Sequence, residues 1–329
     1  MKVFVAGGAG YIGSHTVYEL IRAGHEVVVY DNLSTGCRDA VHPGARFYEG
    51  DILDKDRIVQ VLQTESAEGA VDVAMHFAAK LIVPESVSMP LAYYHNNVEG
   101  LRQMLLGLME SEVTSIVFSS TAAVYGEPQK GECLEDDYTL PINPYGETKL
   151  AAERMIKWAS EAHGLNYCIF RYFNVAGADS TLEIGLNKDQ LTHLVPLIMQ
   201  AALGQIEKLS IFGSDYDTFD GTCVRDYIHV TDLAKAHVKG AEYLCKQNSS
   251  LLVNLGSGEG YSVKEVVDAA SKLLPLAYEF VPRRPGDPAK LYANITKARE
   301  QLGWQPELGL NDILQSDLDY RRKLLGSNS

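Results

Sequence analysis

A tyrosine and a lysine four residues apart are the side chains whose types and spacing could perform chemistry. Tyr145 and Lys149 follow Asn143-Pro144, a pair typical of a helix start because Asn caps the first turn and Pro fits its first position. On a helix, positions i and i+4 share one face. A phenol has a pKa of about 10, and a nearby ammonium or helix N-terminus favours its ionised form. The pair therefore predicts an acid and base at Tyr145; an exposed helix pair without chemistry is the alternative.

A hydroxyl group precedes this pair at the end of an apolar run. Residues 115–119 predict a strand, which leads into Ser120-Thr121. Ligands in open α/β sheets lie beyond the carboxyl ends of the strands, so we expect Thr121 to reach the same crevice as Tyr145. There it would hydrogen-bond the substrate oxygen whose proton Tyr145 takes. A strand-end hydroxyl that only satisfies the backbone is the alternative.

Glycines spaced three residues apart open the chain. Gly7, Gly10 and Gly13 follow a short apolar run and precede a helical pattern. Such glycines allow a tight turn, close backbone approach to a pyrophosphate and close helix–strand packing, and the helix N-terminus attracts phosphate. Asp31 lies eighteen residues after Gly13, where a carboxylate binds a ribose diol and repels a 2′-phosphate. The loop predicts a dinucleotide site that favours NAD over NADP.

Two further strand ends suit the same groove. Asp51 and Ile52 follow the third predicted strand, where the carboxylate could reach the adenine edge. Phe77, Ala78 and Ala79 follow the fourth, where small residues let a dinucleotide pass close to the backbone. An ordinary strand end followed by a helix cap is the competing interpretation of each.

The elements that must position these residues alternate along the first half of the chain. Short apolar strands separated by helical patterns predict an α/β fold with a doubly wound parallel Rossmann sheet. We expect residues 1–175 to form the NAD-binding domain, with a segment near 224–250 returning to it, and residues 176–329 to form a smaller C-terminal α/β substrate domain. The predicted strands are 3–6, 26–30, 45–49, 71–77, 115–119, 166–172 and 251–255; the predicted helices include 12–23, 97–109 and 145–162.

Composition excludes several classes of function. The chain has 329 residues and a net charge of −14, which argues against a broad nucleic-acid surface. Its five cysteines are scattered and lack C-x-x-C spacing, so neither a disulfide framework nor a zinc site is expected, as is typical of a reducing cytoplasm. No apolar stretch is long enough to predict a membrane span.

These motifs together resemble the extended short-chain dehydrogenase/reductases. The glycine loop, the Ser119–Thr121 strand end and Tyr145-x-x-x-Lys149 carry that similarity. Further segments resemble the UDP-glucose 4-epimerase group within it, across nearly the whole chain. They are 10–16, 31–33, 93–97, 171–174, 220–230 and 283–287, of which the long loop before Val230 is the most discriminating.

The resemblance implies a reaction and a set of binding residues. Tightly held NAD would take hydride from C4 of a UDP-hexose and return it to the other face of a 4-keto sugar, with Tyr145, Lys149 and Thr121 as catalytic residues. The implied cofactor contacts are Gly7, Gly10, Tyr11, Ile12, Gly13, Asp31, Asn32, Asp51, Ile52, Phe77, Ala78, Ala79, Asn96, Tyr145, Lys149 and Tyr172. The implied substrate contacts are Thr121, Asn174, Leu194, Phe212, Arg225, Arg284, Asp287 and Leu291.

Within the implied substrate site, Arg225 and Arg284 would clamp the diphosphate, since paired guanidinium groups suit it. Phe212 would line the uracil site. Loop ion pairs of the two arginines with Asp226 and Asp287 are the alternative.

The chain departs from the family pattern at several positions. Thr121 stands where many relatives have Ser, which keeps the hydroxyl. Leu81 stands where some have Lys, so a role for the neighbouring Lys80 is open, as is that of His193 in place of Asn. Leu291 corresponds to a gate beside the sugar, where large aromatic residues exclude N-acetylated hexosamines and small residues admit them.

Other functions stay open on this sequence. A UDP-pentose or UDP-uronate 4-epimerase would use the same residues, as would other nucleotide-sugar members of the family. Ala122 and Ala123 argue against a 4,6-dehydratase, which needs acidic groups beside the catalytic hydroxyl. A non-catalytic NAD-sensing protein on the same fold would typically lose the Tyr/Lys pair. The resemblance also implies a homodimer formed through helices near 97–109 and 145–162.

Overall fold

The computed structural model of the chain describes residues 1–128, 130–187, 191–284 and 286–327. Its strands in the first half are β1 Lys2–Ala6, β2 Glu26–Asp31, β3 Arg46–Glu49, β4 Val73–His76, β5 Ser115–Thr121, β6 Glu132–Cys133, β7 Asn166–Tyr172 and β8 Asn174–Ala176. Those in the second half are β9 Leu209–Phe212, β10 Val224–Arg225, β11 Tyr227–His229, β12 Leu251–Leu255, β13 Tyr261–Ser262, β14 Tyr278–Val281 and β15 Lys290–Ala293.

A seven-stranded parallel sheet forms the centre of the molecule. Its strand order is β12-β7-β5-β4-β1-β2-β3, so the chain moves outwards from β1 to β3 and then crosses to β4 on the other side. Strands β1 and β4 are buried at every position, because helices cover both faces of the sheet. The reversal of strand order beside β1 opens a crevice at the carboxyl ends of the strands, where ligands bind in this architecture. The predicted doubly wound Rossmann fold is confirmed.

Helices pack on both faces of this sheet and against the smaller sheets beyond the crevice. They are α1 Tyr11–Arg22, α2 Lys55–Ser66, α3 Val83–Ser88, α4 Pro90–Tyr93, α5 Gly100–Glu110, α6 Pro144–His163, α7 Leu194–Ala202, α8 Val230–Gln247, α9 Val263–Leu273 and α10 Leu310–Ser327. Alternate residues of β1 point to opposite faces: Val3 and Val5 pack with α1 and α8, whereas Phe4 and Ala6 pack with α2, α5 and α6.

The second half of the chain builds smaller sheets beyond the crevice. Strands β13-β10-β15-β6, β11-β8 and β14-β9 pair there, and α7, α9 and α10 share an apolar core around Ile198, Val266 and Leu314. Ser262 and Glu265, whose residue types and spacing predict a capping box, form one at the start of α9. Helix α8 packs on α1, and β12 pairs with β7 at the edge of the central sheet. The division of domains at residue 175 stays a prediction.

The structure differs from the sequence-based elements in two places. The predicted helix 97–109 begins with a π-helical turn, Tyr94–Glu99, before α5. The polar segment 212–225, whose composition predicts a loop, ends in the short strand β10. The sequence also predicts a loop at 178–188, whose last residue, Lys188, lies outside the described residues. Within the described ranges, no helix combines the length and hydropathy that crossing a bilayer requires.

Candidate active site

The glycine loop forms a cradle that side chains would fill. Gly7 has φ +83°, and a Cβ there would lie 2.5 Å from the backbone nitrogen of Ala78. A Cβ on Gly13 would overlap the Gly7 carbonyl oxygen. Gly10 begins α1 without a side chain to cap it, which leaves the first-turn N–H groups pointing towards the crevice. A backbone cradle at a helix N-terminus suits the pyrophosphate of a dinucleotide, so these residues fit the predicted NAD.

Asp31 holds its carboxylate beside this loop at the end of β2. Its Oδ2 accepts a hydrogen bond from the backbone of Ala9 at 2.9 Å, and its Oδ1 accepts one from Leu33 at 2.8 Å. The next residue, Asn32, donates to the Asp51 carboxylate at 3.0 Å. The structure therefore brings the predicted ribose and adenine contacts to the ends of neighbouring strands.

A segment that the sequence prediction missed also borders the loop. Gly36 packs against the backbone of Ala9, and the Cys37 backbone donates to the Ala9 carbonyl at 3.1 Å. A cavity of about 210 Å³ opens there, lined by Gly10, Tyr11, Cys37 and the segment 183–187 among others. The predicted contact Tyr11 directs its hydroxyl away from the loop, to the Gly177 carbonyl at 2.6 Å, so its backbone is the part that remains for a cofactor.

The segment after β4 is fixed by an asparagine that the prediction also missed. The Asn97 side chain accepts from the Lys80 backbone at 2.8 Å and donates to the Lys80 carbonyl at 3.0 Å. It also donates to the Thr148 hydroxyl on α6 at 3.1 Å. The predicted contact Asn96 donates to Asn97. The π-helical turn turns Asn97 inward, and such turns occur frequently at functional sites.

The predicted catalytic residues meet at the end of β5. Asn143 caps α6 by accepting from the Gly146 backbone at 2.9 Å, which places Tyr145 in the first turn. The Thr121 hydroxyl hydrogen-bonds the Tyr145 phenol and accepts from the Ala123 backbone at 3.1 Å. Lys149 is buried, with its Nζ donating to the Ser119 carbonyl at 2.7 Å. The sequence therefore identified three residues that do form one cluster.

Burial dominates the protonation of this cluster. It raises the pKa of Tyr145 to about 12, against the opposing hydrogen bond from Thr121, and it lowers the pKa of Lys149 to about 7, against the opposing charge of Glu153. The protein groups alone therefore do not supply the phenolate that was expected from Lys149, the helix N-terminus and an oxidised nicotinamide together. The reason is geometric, because the Lys149 ammonium faces Ser119 and lies 5.0 Å from the centre of the Phe118 ring.

An aromatic group closes the inner side of the crevice. The hydroxyl groups of Tyr172 and Ser119 are hydrogen-bonded and buried. The His237 ring lies 4.8 Å from the Phe77 ring and 5.9 Å from the Tyr172 ring. Two predicted cofactor contacts therefore pack on a histidine of α8 that sequence reasoning did not select.

The predicted substrate residues gather on the facing loops. Arg225 donates to the Pro288 carbonyl at 2.7 Å and lies 3.5 Å from the Asp287 carboxylate, and it stands opposite Leu291 in the pairing of β10 with β15. The Arg284 guanidinium lies 3.8 Å from the centre of the Phe212 ring. Loop ion pairs were the alternative role for the two arginines, and one of them, between Arg225 and Asp287, is present.

The other residues that were predicted to contact the substrate are each held by a different part of the structure. Asn174 donates its side-chain amide to the Asp226 carbonyl at 3.2 Å, next to Arg225. The Asp226 carboxylate accepts from Ser257, Gly258 and Ala293 rather than from an arginine. Leu194 begins α7 and packs against the core shared by α7, α9 and α10. None of these contacts could be seen in the sequence, because each joins loops distant along the chain.

We expect His237 to make stability depend on pH. Burial lowers its pKa to about 4, so between about pH 4 and 6.5 the unfolded chain binds a proton there that the folded chain does not, and stability is lost on acidification. When the pH falls from 7.5 to 5.5, the unfolding free energy of the parent protein should decrease by about 1 kcal/mol more than that of His237→Phe. Urea titrations of both proteins at the two pH values measure it; equal losses would contradict the prediction.

Comparisons of the sequence and the structure with known proteins all indicate the same family. The model of the NAD dependent epimerase/dehydratase family matches residues 3–256. A UDP-glucose 4-epimerase of Halalkalibacterium halodurans is 50% identical over 313 residues, which are 93% of this chain and 91% of that protein. The crystal structure of UDP-glucose 4-epimerase from Brucella ovis in complex with NAD is similar, with TM-score 0.93, 43% identity and coverage of 97% and 98% of the two chains. The corresponding enzyme of Bifidobacterium longum, in complex with NAD+ and UDP, gives TM-score 0.91 and 36% identity over 98% of each chain.

Proposed function

Because this chain belongs to the NAD dependent epimerase/dehydratase family, we propose that it is an isomerase that interconverts UDP-glucose and UDP-galactose by inverting C4 through a 4-keto sugar. One observation carries the proposal: Tyr145, Thr121 and Lys149 meet at the end of β5, where Lys149 is buried and the other two side chains are half-buried. That cluster faces the glycine cradle from the same edge of the sheet, as a sugar hydroxyl beside a nicotinamide requires.

The residues around the cradle would hold NAD. Gly7, Gly10 and Gly13 would receive the pyrophosphate, and Asp31 the adenosine ribose. Phe77 and Tyr172 would border the nicotinamide half. When bound, oxidised NAD would accept and return a hydride, and its positive charge would favour the ionised form of a nearby phenol.

Tyr145 and Thr121 would handle the proton. Tyr145 takes the proton of the sugar 4-hydroxyl as the C4–H hydride leaves, and it returns that proton to the same oxygen after the ketone has turned over. Thr121 hydrogen-bonds the reacting oxygen. Lys149 ties α6 to the strand end that carries Thr121, because its Nζ donates to the Ser119 carbonyl. Since the proton and the hydride both return to the sugar, the reaction is redox-neutral.

A second group of residues would anchor UDP while the sugar turns. In a chain with net charge −14, a diphosphate requires local cations. Arg225, at the end of β10, and Arg284, in the segment after β14, supply these cations. Arg284 covers the Phe212 ring in this structure, so it would leave the ring to reach a phosphate, and the exposed ring would then receive uracil.

The function is tested with purified protein and three substrates in parallel. We expect NAD to be released on denaturation and NMR to show UDP-galactose formed from UDP-glucose. Protein without NAD that is inactive on both hexoses would overturn the proposal. Turnover of UDP-xylose or a UDP-uronate alone would replace it with the pentose or uronate epimerase that the sequence left open.

We expect Leu291 to set the tolerance for bulk on the sugar. It packs against the apolar cluster that contains Ala122, Val124 and Phe173, beside the catalytic strand, and pairs with Arg225. Leu291→Tyr should lower kcat/KM for UDP-GlcNAc about tenfold or more relative to UDP-glucose. Leu273→Tyr, at the end of α9, is the control. An unchanged ratio of the two substrates in Leu291→Tyr would reject the gate.

We also propose a homodimer, in a cytoplasmic location that the five free cysteines favour. Exposed apolar side chains cluster on α3, α4 and α6: Val87, Met89 and Leu91 are 64%, 52% and 82% exposed, and Trp158 is 69% exposed. A second copy of the chain would cover them. The proposed interface therefore includes α3 and α4 in addition to the helices near 97–109 and 145–162 that the resemblance implies.

The dimer is tested by light scattering with size exclusion. Leu91→Glu and Trp158→Glu should each convert the dimer to a monomer because they place charge in an apolar contact. Phe219→Glu replaces an equally exposed aromatic residue, 74% exposed on another loop, and should leave the dimer intact. A monomeric parent protein, or charged variants that stay dimeric, would refute this interface.

A further inference from the structure

A fully buried glutamate lies directly behind the catalytic cluster. Glu153 is 0% exposed, and its Oε1 accepts from the Ser120 hydroxyl at 2.5 Å and from Nε of Arg171 at 2.9 Å. Its Oε2 accepts from the terminal nitrogen of Arg171 at 2.7 Å. Neither Glu153 nor Ser120 has a role in the proton transfer or ligand contacts derived above.

These contacts bring to three the points at which α6 is joined to the end of β5. Tyr145, Lys149 and Glu153 follow one another at intervals of four, so they form one stripe of the helix. Their partners are three consecutive residues of the strand: the Ser119 carbonyl for Lys149, the Ser120 hydroxyl for Glu153 and the Thr121 hydroxyl for Tyr145. A shift of the helix along the strand would break all three contacts together.

Arg171 extends the arrangement to the next strand and the next turn. It lies opposite Ser120 in the pairing of β5 with β7. Its other terminal nitrogen donates to the Tyr125 hydroxyl at 3.2 Å and to the Glu135 carbonyl at 3.1 Å. Tyr125 in turn donates to Asn254 on β12 at 2.6 Å. The carboxylate of Glu153 is therefore held from two strands and from the turn that follows Thr121.

We propose that Glu153, through Ser120 and Arg171, is a positioning residue that fixes the register of α6 against β5 and so keeps Tyr145 in hydrogen-bond contact with Thr121. Stability alone does not account for the arrangement, because an apolar group of similar volume often stabilises a core as well as a buried ion pair does. A bidentate arginine–carboxylate pair instead defines distance and orientation. This role rests on the proposed function for its effect on turnover.

The experiment compares two variants with a matched control. Ser120→Ala removes the contact with the strand but keeps the ion pair, and Glu153→Gln removes the charge that faces Arg171. Glu65→Gln is the control, because Glu65 is likewise a buried glutamate on a helix, accepting from the Tyr48 hydroxyl at 2.7 Å and paired with Arg46 at 2.7 Å. It lies near Lys2 at the amino end of β1, away from the crevice.

Two readouts are required together. In Ser120→Ala we expect kcat with UDP-galactose about tenfold below that of Glu65→Gln, with KM within about twofold, because the reacting groups and not the binding groups are displaced. Crystal structures should show the Thr121–Tyr145 or the Lys149–Ser119 contact lengthened beyond hydrogen-bond distance. Glu153→Gln should act in the same direction and more strongly.

The outcomes separate this inference from the proposed function. Wild-type turnover of UDP-galactose tests the function, whereas the variant structures report positioning without any substrate. Both contacts retained in Ser120→Ala and in Glu153→Gln would overturn the inference, even if kcat falls. A Ser120→Ala kcat equal to that of the Glu65→Gln control would overturn it as well, even if the contacts change.

Discussion

Tyr145→Phe is expected to lower kcat by roughly 10²–10⁴-fold, the usual contribution of a positioned acid–base group. The variant keeps the ring and loses only the hydroxyl that Thr121 contacts. Without it, no group at that position can take the proton of the sugar 4-hydroxyl while hydride leaves the carbon. KM should change little, because the residues assigned to UDP lie on the facing loops. Initial rates with UDP-galactose, at saturating and subsaturating concentration, separate the two parameters.

The physical reason for so large an effect is the environment of the phenol. Burial raises the pKa of Tyr145 to about 12 in the protein alone, so few phenolate groups exist near neutral pH until a positive charge is bound beside them. The positive charge that oxidised NAD would supply beside Tyr145 would therefore favour the phenolate that acts as the base. We expect Tyr145→Phe to retain NAD, since the glycine cradle and Asp31 are unchanged.

Tyr243→Phe is the matched control for this variant. Its hydroxyl lies 3.0 Å from that of Ser249 at the far end of α8, so its loss should leave kcat within about twofold of the parent, as surface substitutions usually do. A Tyr145→Phe protein with bound NAD and near-normal kcat would show that another group is the base. Lys149 would then be examined next, because its pKa of about 7 lets it exchange a proton near neutral pH.

The sequence supported those parts of the fold and site that depend on local spacing. Gly7, Gly13 and Asp31 are tied to one strand–turn–helix unit, and Tyr145 and Lys149 to one helix, so periodicity alone places them. The contact of Thr121 with Tyr145 needed one further rule, that ligands lie at the carboxyl ends of parallel strands. Each of these predictions depends on backbone geometry and little on the packing of distant side chains.

Features that depend on distant partners could not be predicted. Asn97 looked like one amide among several, and only the folded chain brings it to Lys80 and Thr148. The ion pair of Glu153 and Arg171 joins a helix to a strand. It could not be predicted, because a sequence does not distinguish a buried charge from an exposed one. The pKa of Tyr145 was expected to fall under Lys149, the helix N-terminus and an oxidised nicotinamide together, whereas in the protein groups alone burial, which a sequence does not display, raises it to about 12.

The second large effect is expected from Gly13→Ala, which should abolish tight NAD binding and destabilise the fold. Its Cβ would overlap the Gly7 carbonyl oxygen, so the loop and α1 must separate. Overpacking of this kind costs typically 1–3 kcal/mol, and here the cost falls on backbone that cannot rotate away. Both the unfolding free energy from urea titration and the NAD content after gel filtration should fall.

Gly10→Ala, in the same loop, should separate the loss of NAD binding from the loss of stability. A Cβ there would lie 3.4 Å from the Gly7 carbonyl oxygen, an ordinary contact, so the protein without cofactor should keep its stability. A methyl group beside the N-terminus of α1 would still obstruct a pyrophosphate approaching the backbone. We therefore expect normal unfolding with reduced NAD content in Gly10→Ala, and loss of both in Gly13→Ala. Gly326→Ala, near the end of α10, where no heavy atom of the described residues lies within 4 Å of a Cβ built at that position, should change neither. If Gly13→Ala bound NAD as the parent does, the close approach of helix and loop could not be what holds the dinucleotide, and the assignment of the cradle would fail.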